Sequence, residues 1–214
     1  MEFLEAAELF LWAEQLDYSC WFTGEWKRMW KVEHYLPRLV KKGILRTAWL
    51  DKRLIYTLKG RPNKDTYAVA HGLMSTKALL YFKQSKPCKF VSERFFRDAG
   101  FGAVPEFACL YDKSMILFEY STADDFRRVY RMKKKIKQYK DNLEKIEDYF
   151  GKTAIVLFVF QAPPHRVKSF VNKYGRHHSF YFTDLDSFID TPFQKQLSHP
   201  IYIWGGDGKK YPLE

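Results

Sequence analysis

The sequence predicts an α/β (α+β) protein in two parts: a winged helix-turn-helix over residues 1–66 and a layered domain with a mixed sheet over residues 67–214. Three observations predict it. Three stretches with apolar residues at three-to-four spacing precede two short apolar runs around Asp51-Lys52-Arg53. Thr153–Phe160 is an unbroken apolar run of strand length, as in a strand buried on both faces. Between Val104 and Lys140, two apolar runs flank Asp112-Lys113-Ser114, carry Glu106 and Glu119 at their outer ends, and lead into a strongly basic helix.

Residues 3–16 predict an amphipathic helix with Phe3, Leu4, Ala7, Phe10, Leu11 and Ala13 on its apolar side. Glu2, Glu5 and Glu8 suit its first turn, where the helix dipole favours negative charge. Thr23 is the expected N-cap of a second short helix through Trp30. In the third helix Val32, Tyr35, Leu36, Leu39 and Val40 form the buried stripe, and Gly43 is the C-terminal stop. Pro37 fits if that helix starts near Glu33, because the first four amides of a helix have no partner. Ile44–Leu50 and Leu54–Leu58 then form a hairpin with a basic tip. Three helices closed by a hairpin make a winged helix-turn-helix, whose third helix enters the major groove.

Residues 60–66 are the expected linker. After it come a helix around Met74–Gln84, the carboxylate hairpin, a long helix from about Asp124 to Phe150 and the buried strand over 153–160. A helix over 163–174 and a strand over 178–182 complete the domain.

Charge narrows the function classes. The formal net charge of the 214 residues is +11, which favours polyanionic partners, with double-stranded DNA foremost. The charge is concentrated in two places. Residues 18–66 hold twelve Lys/Arg against four Asp/Glu, and residues 127–145 hold nine against two. In the second stretch Val129, Met132, Ile136, Tyr139, Leu143 and Ile146 form an apolar stripe, so the helix docks on the domain and turns its cations outward as a phosphate track. The DNA-binding candidates are Lys31, His34, Arg38, Lys41 and Lys42 on the third helix, Lys52 and Arg53 on the hairpin, and Arg131, Lys133, Lys134 and Lys135 on the basic helix. With 46% hydrophobic residues, global disorder is excluded, and no apolar run reaches membrane-spanning length. No partner membrane is expected, and the start, Met1-Glu2-Phe3-Leu4-Glu5, lacks the basic region of a signal peptide, which points to the cytoplasm.

Pairing of the two apolar runs would place Glu106 and Glu119 roughly 5 Å apart. Paired acids at strand ends with a nearby lysine can hold a metal ion and polarise an attacking water. The lysine expected two residues after Glu119 is absent, and Ser121 stands there.

Several short segments recur in order between Thr23 and Trp204: Thr23–Leu58, His71-Gly72-Leu73 opening a helix, Ser92-Glu93-Arg94, Val104-Pro105-Glu106-Phe107, Phe118-Glu119-Tyr120-Ser121, Lys135-Ile136-Lys137-Gln138-Tyr139, and Trp204 before a Gly-rich stretch. In that order and spacing the chain resembles the replication-relaxation family of plasmid and mobile-element proteins. Its members join an N-terminal winged helix to a restriction-endonuclease-like, PD-(D/E)XK-type domain. The resemblance implies that Glu93 is the helix acid of a nuclease site, that Glu106 stands where the family has Asp, and that Glu119 opens an E-x-(D/K)-like element. A serine at position 121 neither stabilises a developing phosphorane charge as an ammonium does nor binds a metal as a carboxylate does. An active site would therefore draw its lysine from the following helix, Lys134 or Lys137, with Mg²⁺ or Mn²⁺ on Glu106 and Glu119. The longer Glu106 side chain would move such an ion by about an ångström, more than catalytic geometry usually tolerates.

Three readings stay open. The second domain is a nuclease fold that clamps DNA without cutting and needs no cofactor, in a protein acting in replication, mobilisation or their regulation. Alternatively it is a Mg-dependent endonuclease or nickase with Glu93, Glu106, Glu119 and Lys137 as catalytic residues. Third, the chain is a winged-helix transcriptional repressor. Expected partners besides DNA are a second copy of the chain and replication or mobilisation proteins of a plasmid, virus or mobile element.

Other residues are assigned to structure. Trp12, Trp21, Trp26, Trp30 and Trp49 are expected in the core, and Cys20, Cys88 and Cys109 as small apolar fillers. His177 and His178, adjacent on a strand, would point to opposite faces and share no ligand. His71 is expected to be a packing residue, and His165 to sit at a helix N-terminus. Gly205-Gly206-Asp207-Gly208 lacks the Lys-Ser/Thr and helix of a phosphate loop.

Overall fold

A computed structural model describes residues 2–10, 12–24, 28–50, 52–59, 66–85, 88–185, 188, 201–207 and 209–213. The chain divides into two compact units, Met1–Pro87 and Cys88–Glu214, each mixing helices and strands.

The first unit contains α1 (Glu2–Leu9), α2 (Gln15–Thr23), α3 (Trp30–Lys41) and α4 (Thr66–Ser85). With them is an antiparallel sheet of β1 (Ala13–Glu14), β2 (Leu45–Leu50) and β3 (Arg53–Leu58), in the order β1-β3-β2. The helix expected over 3–16 stops at Leu9. Ala13 and Glu14 pair instead with Tyr56 and Ile55, so a long-range backbone ladder overrides local periodicity.

Thr23 closes α2 instead of opening a helix. Its hydroxyl donates to the Ser19 carbonyl at 2.9 Å, and Gly24 follows at φ +74°, a left-handed stop that glycine takes without a Cβ clash. Helix α3 starts at Trp30, so Pro37 lies inside it and not in the first turn. Pro37 is exposed, where water can serve the carbonyl left without a donor. At the other end the expected Gly43 stop is present. Gly43 at φ +70° donates to Val40, and Ile44 donates back to Leu39.

The boundary expected at residue 66 moves to 87 because α4 belongs to the first core. Val69 and Leu73 pack with Trp12, Leu50 and Ile55. The Thr76 hydroxyl donates to the Trp12 carbonyl at 2.8 Å, Lys77 faces the buried Asp17 at 3.9 Å, and the Gln84 amide donates to the Gly24 carbonyl at 2.6 Å. His71-Gly72-Leu73 therefore lies within the helix and does not open it. The expected linker over 60–65 lies outside the described residues.

At the hairpin tip Lys52 adopts φ +64°, which costs an L-residue about 1 kcal/mol. Lys52→Gly is expected to raise stability by about 0.5–1 kcal/mol, seen as a higher urea midpoint with unchanged slope.

The second unit is built on one sheet of β4 (Lys89–Ser92), β5 (Phe107–Leu110), β6 (Ser114–Ser121), β7 (Thr153–Phe160), β8 (Phe180–Asp184), β9 (Ile201–Gly205) and β10 (Lys210–Leu213). The spatial order is β10-β9-β8-β7-β6-β5-β4. The sheet is mixed as expected: β6, β7 and β8 run parallel and the remaining pairings are antiparallel. A short helix, α5 (Glu93–Asp98), follows β4. Parallel neighbours need crossovers, supplied by α6 (Ala123–Arg127) with α7 (Val129–Phe150), and by α8 (Pro164–Tyr174). Crossovers of one hand between successive strands place α7 and α8 on the same face. Their buried sides share one core: Met132, Ile136, Tyr139, Leu143 and Ile146, with Val167, Phe170 and Val171, meet Met115, Leu117, Val156, Phe158, Phe160, Phe180 and Phe182.

The long helix expected from 124 to 150 is broken at Arg128, whose φ −89° and ψ 67° separate α6 from α7. His177 and His178 precede β8 and do not lie on it. Their rings stack at 4.6 Å, so they do not diverge as strand neighbours would.

Candidate functional site

Strand alternation decides what β6 presents to α7. Residues 115, 117, 119 and 121 share one face. Met115 and Leu117 join the core, while Glu119 and Ser121 bring polar atoms to the same side. The β5–β6 register pairs Phe107 with Phe118, and Glu106 directly precedes that pair. The Glu106 amide donates to the Phe118 carbonyl at 2.9 Å. The Glu106 charge acts on the Glu119 carboxyl, so the two carboxylates expected to be neighbours lie near each other.

Glu119 is 1% exposed, and α7 supplies both partners of its carboxylate. Lys135 Nζ donates to Oε2, and the Tyr139 hydroxyl donates to Oε1 at 2.6 Å. Lys135 and Tyr139 are one helical turn apart and share a face, which is why one carboxylate receives both. Burial pushes the Glu119 carboxyl up to about 7, against the pull of the Lys135 ammonium, and the Glu106 charge adds to the rise. Burial also raises the Tyr139 phenol well above its usual range, helped by the Glu119 charge.

The lysine at Glu119 is neither Lys134 nor Lys137. Lys134 and Lys137 lie on the exposed side of α7, and Lys135, placed on the phosphate track from sequence, is the one that reaches Glu119. Ser121 turns inward, donating to Met132 Sδ at 2.9 Å. Glu93 begins α5 and pairs with Arg97 one turn later.

Of the acids expected to hold Mg²⁺ or Mn²⁺, Glu119 accepts a hydrogen bond on each oxygen and Glu93 is paired with Arg97. Among the described residues no three His, Cys, Asp or Glu side chains converge as metal ligands.

Among the described residues, one cationic surface is exposed in each unit. On α3 and its C-cap, Lys31, His34, Arg38, Lys41 and Lys42 are exposed, whereas Val32, Leu36 and Leu39 are buried. Tyr35, expected in that buried stripe, is exposed and packs one side against Phe3 at 4.5 Å between ring centres. Lys52 stands exposed at the hairpin tip, whereas Arg53 is held by Glu14 at 2.7 Å. On α7, Arg131, Lys133, Lys134, Lys137 and Lys140 are exposed, with Lys133 Nζ 4.3 Å from the Tyr174 ring centre.

The tryptophans divide. Trp12 and Trp21 are buried as expected, but Trp30 and Trp49 are 68% and 72% exposed; Trp26 lies outside the described residues. Trp30, Trp49 and Tyr35, expected in the core, are exposed, whereas Tyr139 is buried in its expected stripe but has a polar partner that the sequence did not show. Helical spacing puts Trp30 four residues before His34, on the cationic face, so its position was open to that reading. Tyr139 sits in an apolar stripe, and only its pairing with Glu119 distinguishes it.

No protein-family model, curated protein or solved structure matches the chain. Among the described residues no helix is long and apolar enough to cross a membrane.

Proposed function

We propose that the protein binds DNA, acting in replication or mobilisation of a plasmid, virus or mobile element or in their regulation. In this reading the first unit is a winged helix that reads sequence through α3, and the second is a nuclease-like layer that holds phosphates along α7. The observation that carries it is the concentration of exposed cations on α3 and on α7, each opposite a buried apolar stripe. Both helices are docked, so their cations are held at fixed spacing instead of trailing on a free tail. The inward Ser121 and the doubly engaged Glu119 favour a scaffold role for the second unit.

A second reading, metal-dependent cleavage, is favoured by one feature. A lysine from the following helix meets the buried carboxylate beside a second acid. One experiment separates the two: supercoiled plasmid incubated with the protein in Mg²⁺ or Mn²⁺, beside a duplex-binding titration. Salt-sensitive binding with intact plasmid is the expected result. Nicked or linear product that both Glu119→Ala and Lys135→Ala remove would establish the nuclease reading instead. Absence of duplex binding would overturn the first.

A further inference from the structure

Helix α3 carries more than the charge a duplex backbone requires. Trp30 is 68% exposed, a costly placement for the largest apolar side chain. Its ring lies 4.3 Å from that of His34, and the His34 Nδ1 lies 2.9 Å from the Trp30 carbonyl. A carbonyl only accepts, so Nδ1 carries the proton and the Nε2 edge of the ring is left as an acceptor in the neutral form. Residues 30, 34, 38 and 41 recur at four, four and three, so Trp30, His34, Arg38 and Lys41 fall along one side of the helix. Lys31 and Lys42 flank that line, and all six are exposed. An aromatic face bordered by cations on one helix offers a flat surface for a nucleobase and charge for its phosphates together. Bases within a duplex are stacked on one another and expose only their edges, so an exposed indole face gains most from a base freed from pairing. Trp49 on β2 is a second exposed indole in the same unit.

We infer that the Trp30–His34 face of α3 is a stacking platform for an unpaired nucleobase, so that the first unit engages single-stranded or locally opened DNA in addition to duplex. The inference rests on the DNA-binding reading and names the form of nucleic acid that this face takes. The arrangement suits a protein acting where strands separate, with Arg38 and Lys41 on the flanking phosphates and the indole on the base.

The test compares wild type, Trp30→Ala and Trp30→Phe by fluorescence anisotropy on two probes: an oligothymidylate of about twenty nucleotides and a mixed-sequence duplex of equal length. Trp30→Ala is expected to weaken oligothymidylate binding about ten-fold or more while changing duplex binding less than about two-fold. Trp30→Phe, which keeps an aromatic face, should retain most of the single-strand affinity. Oligothymidylate, but not the duplex, should quench tryptophan emission in wild type, and Trp30→Ala should lose most of that quenching. Equal losses on both probes, or none on either, would overturn the platform while leaving the DNA-binding reading intact. Failure of wild type to bind either probe would overturn both.

Discussion

Raising the pH from about 5 to about 8 is expected to cost the folded protein about 3 kcal/mol through one side chain, Glu119. Its carboxyl is pushed from an ordinary value of 4.5 to about 7, chiefly by burial. The folded state therefore holds that proton more tightly than the unfolded state does. The resulting stability is full below about pH 4.5 and is lost as pH rises through about 7. Urea unfolding of wild type and Glu119→Gln across this range measures it. The glutamine carbonyl still accepts from Tyr139 but cannot ionise, so the variant should show little of the decline. Lys135→Ala removes the ammonium that opposes the rise, driving the carboxyl higher and extending the loss to more alkaline pH. Breaking a buried pair in this way costs about 3–5 kcal/mol where the carboxylate is charged. Parallel pH curves for wild type and Glu119→Gln would show that Glu119 does not control this dependence.

The second large effect concerns α7. Replacing Lys133, Lys134 and Lys137 together by Glu is expected to weaken duplex binding about 100-fold or more, equally for all sequences. The slope of log affinity against log salt should become shallower by roughly 3, from an expected −5 to −7 in wild type, because each lost phosphate contact releases about one counterion fewer. Lys135 is left out because its pairing with Glu119 would mix a folding defect into the result. The complementary change, Arg38→Ala on α3, should reduce specific binding more than non-specific binding. If the triple variant keeps both affinity and salt slope, the exposed cations of α7 are a solvated face and not a phosphate track.

Much of this architecture was legible before any fold was known. The run Thr153–Phe160 became β7 at the centre of the sheet, and the apolar stripe of α7 packs as its periodicity required. The hairpin around Asp112-Lys113-Ser114 formed, and it brings Glu106 near Glu119. These features depend on period and pairing, which a linear pattern of apolar residues encodes directly. The exposed cations of α3 were legible for the same reason.

Tertiary structure decided the rest. A two-residue strand pairing with β3 ended α1 early, and a Gly24 stop turned an expected N-cap into a C-terminus. Packing of Val69 and Leu73 against Trp12 drew α4 into the first unit. Which lysine meets Glu119 depended on the rotation of α7 about its axis once its apolar side was seated, and three lysines in a row leave that choice to within one residue. Burial of Glu119 then raised its carboxyl, because the charge loses water when the helix closes over it. Period and charge are properties of the chain, whereas side-chain partners and solvation exist only after the layers meet.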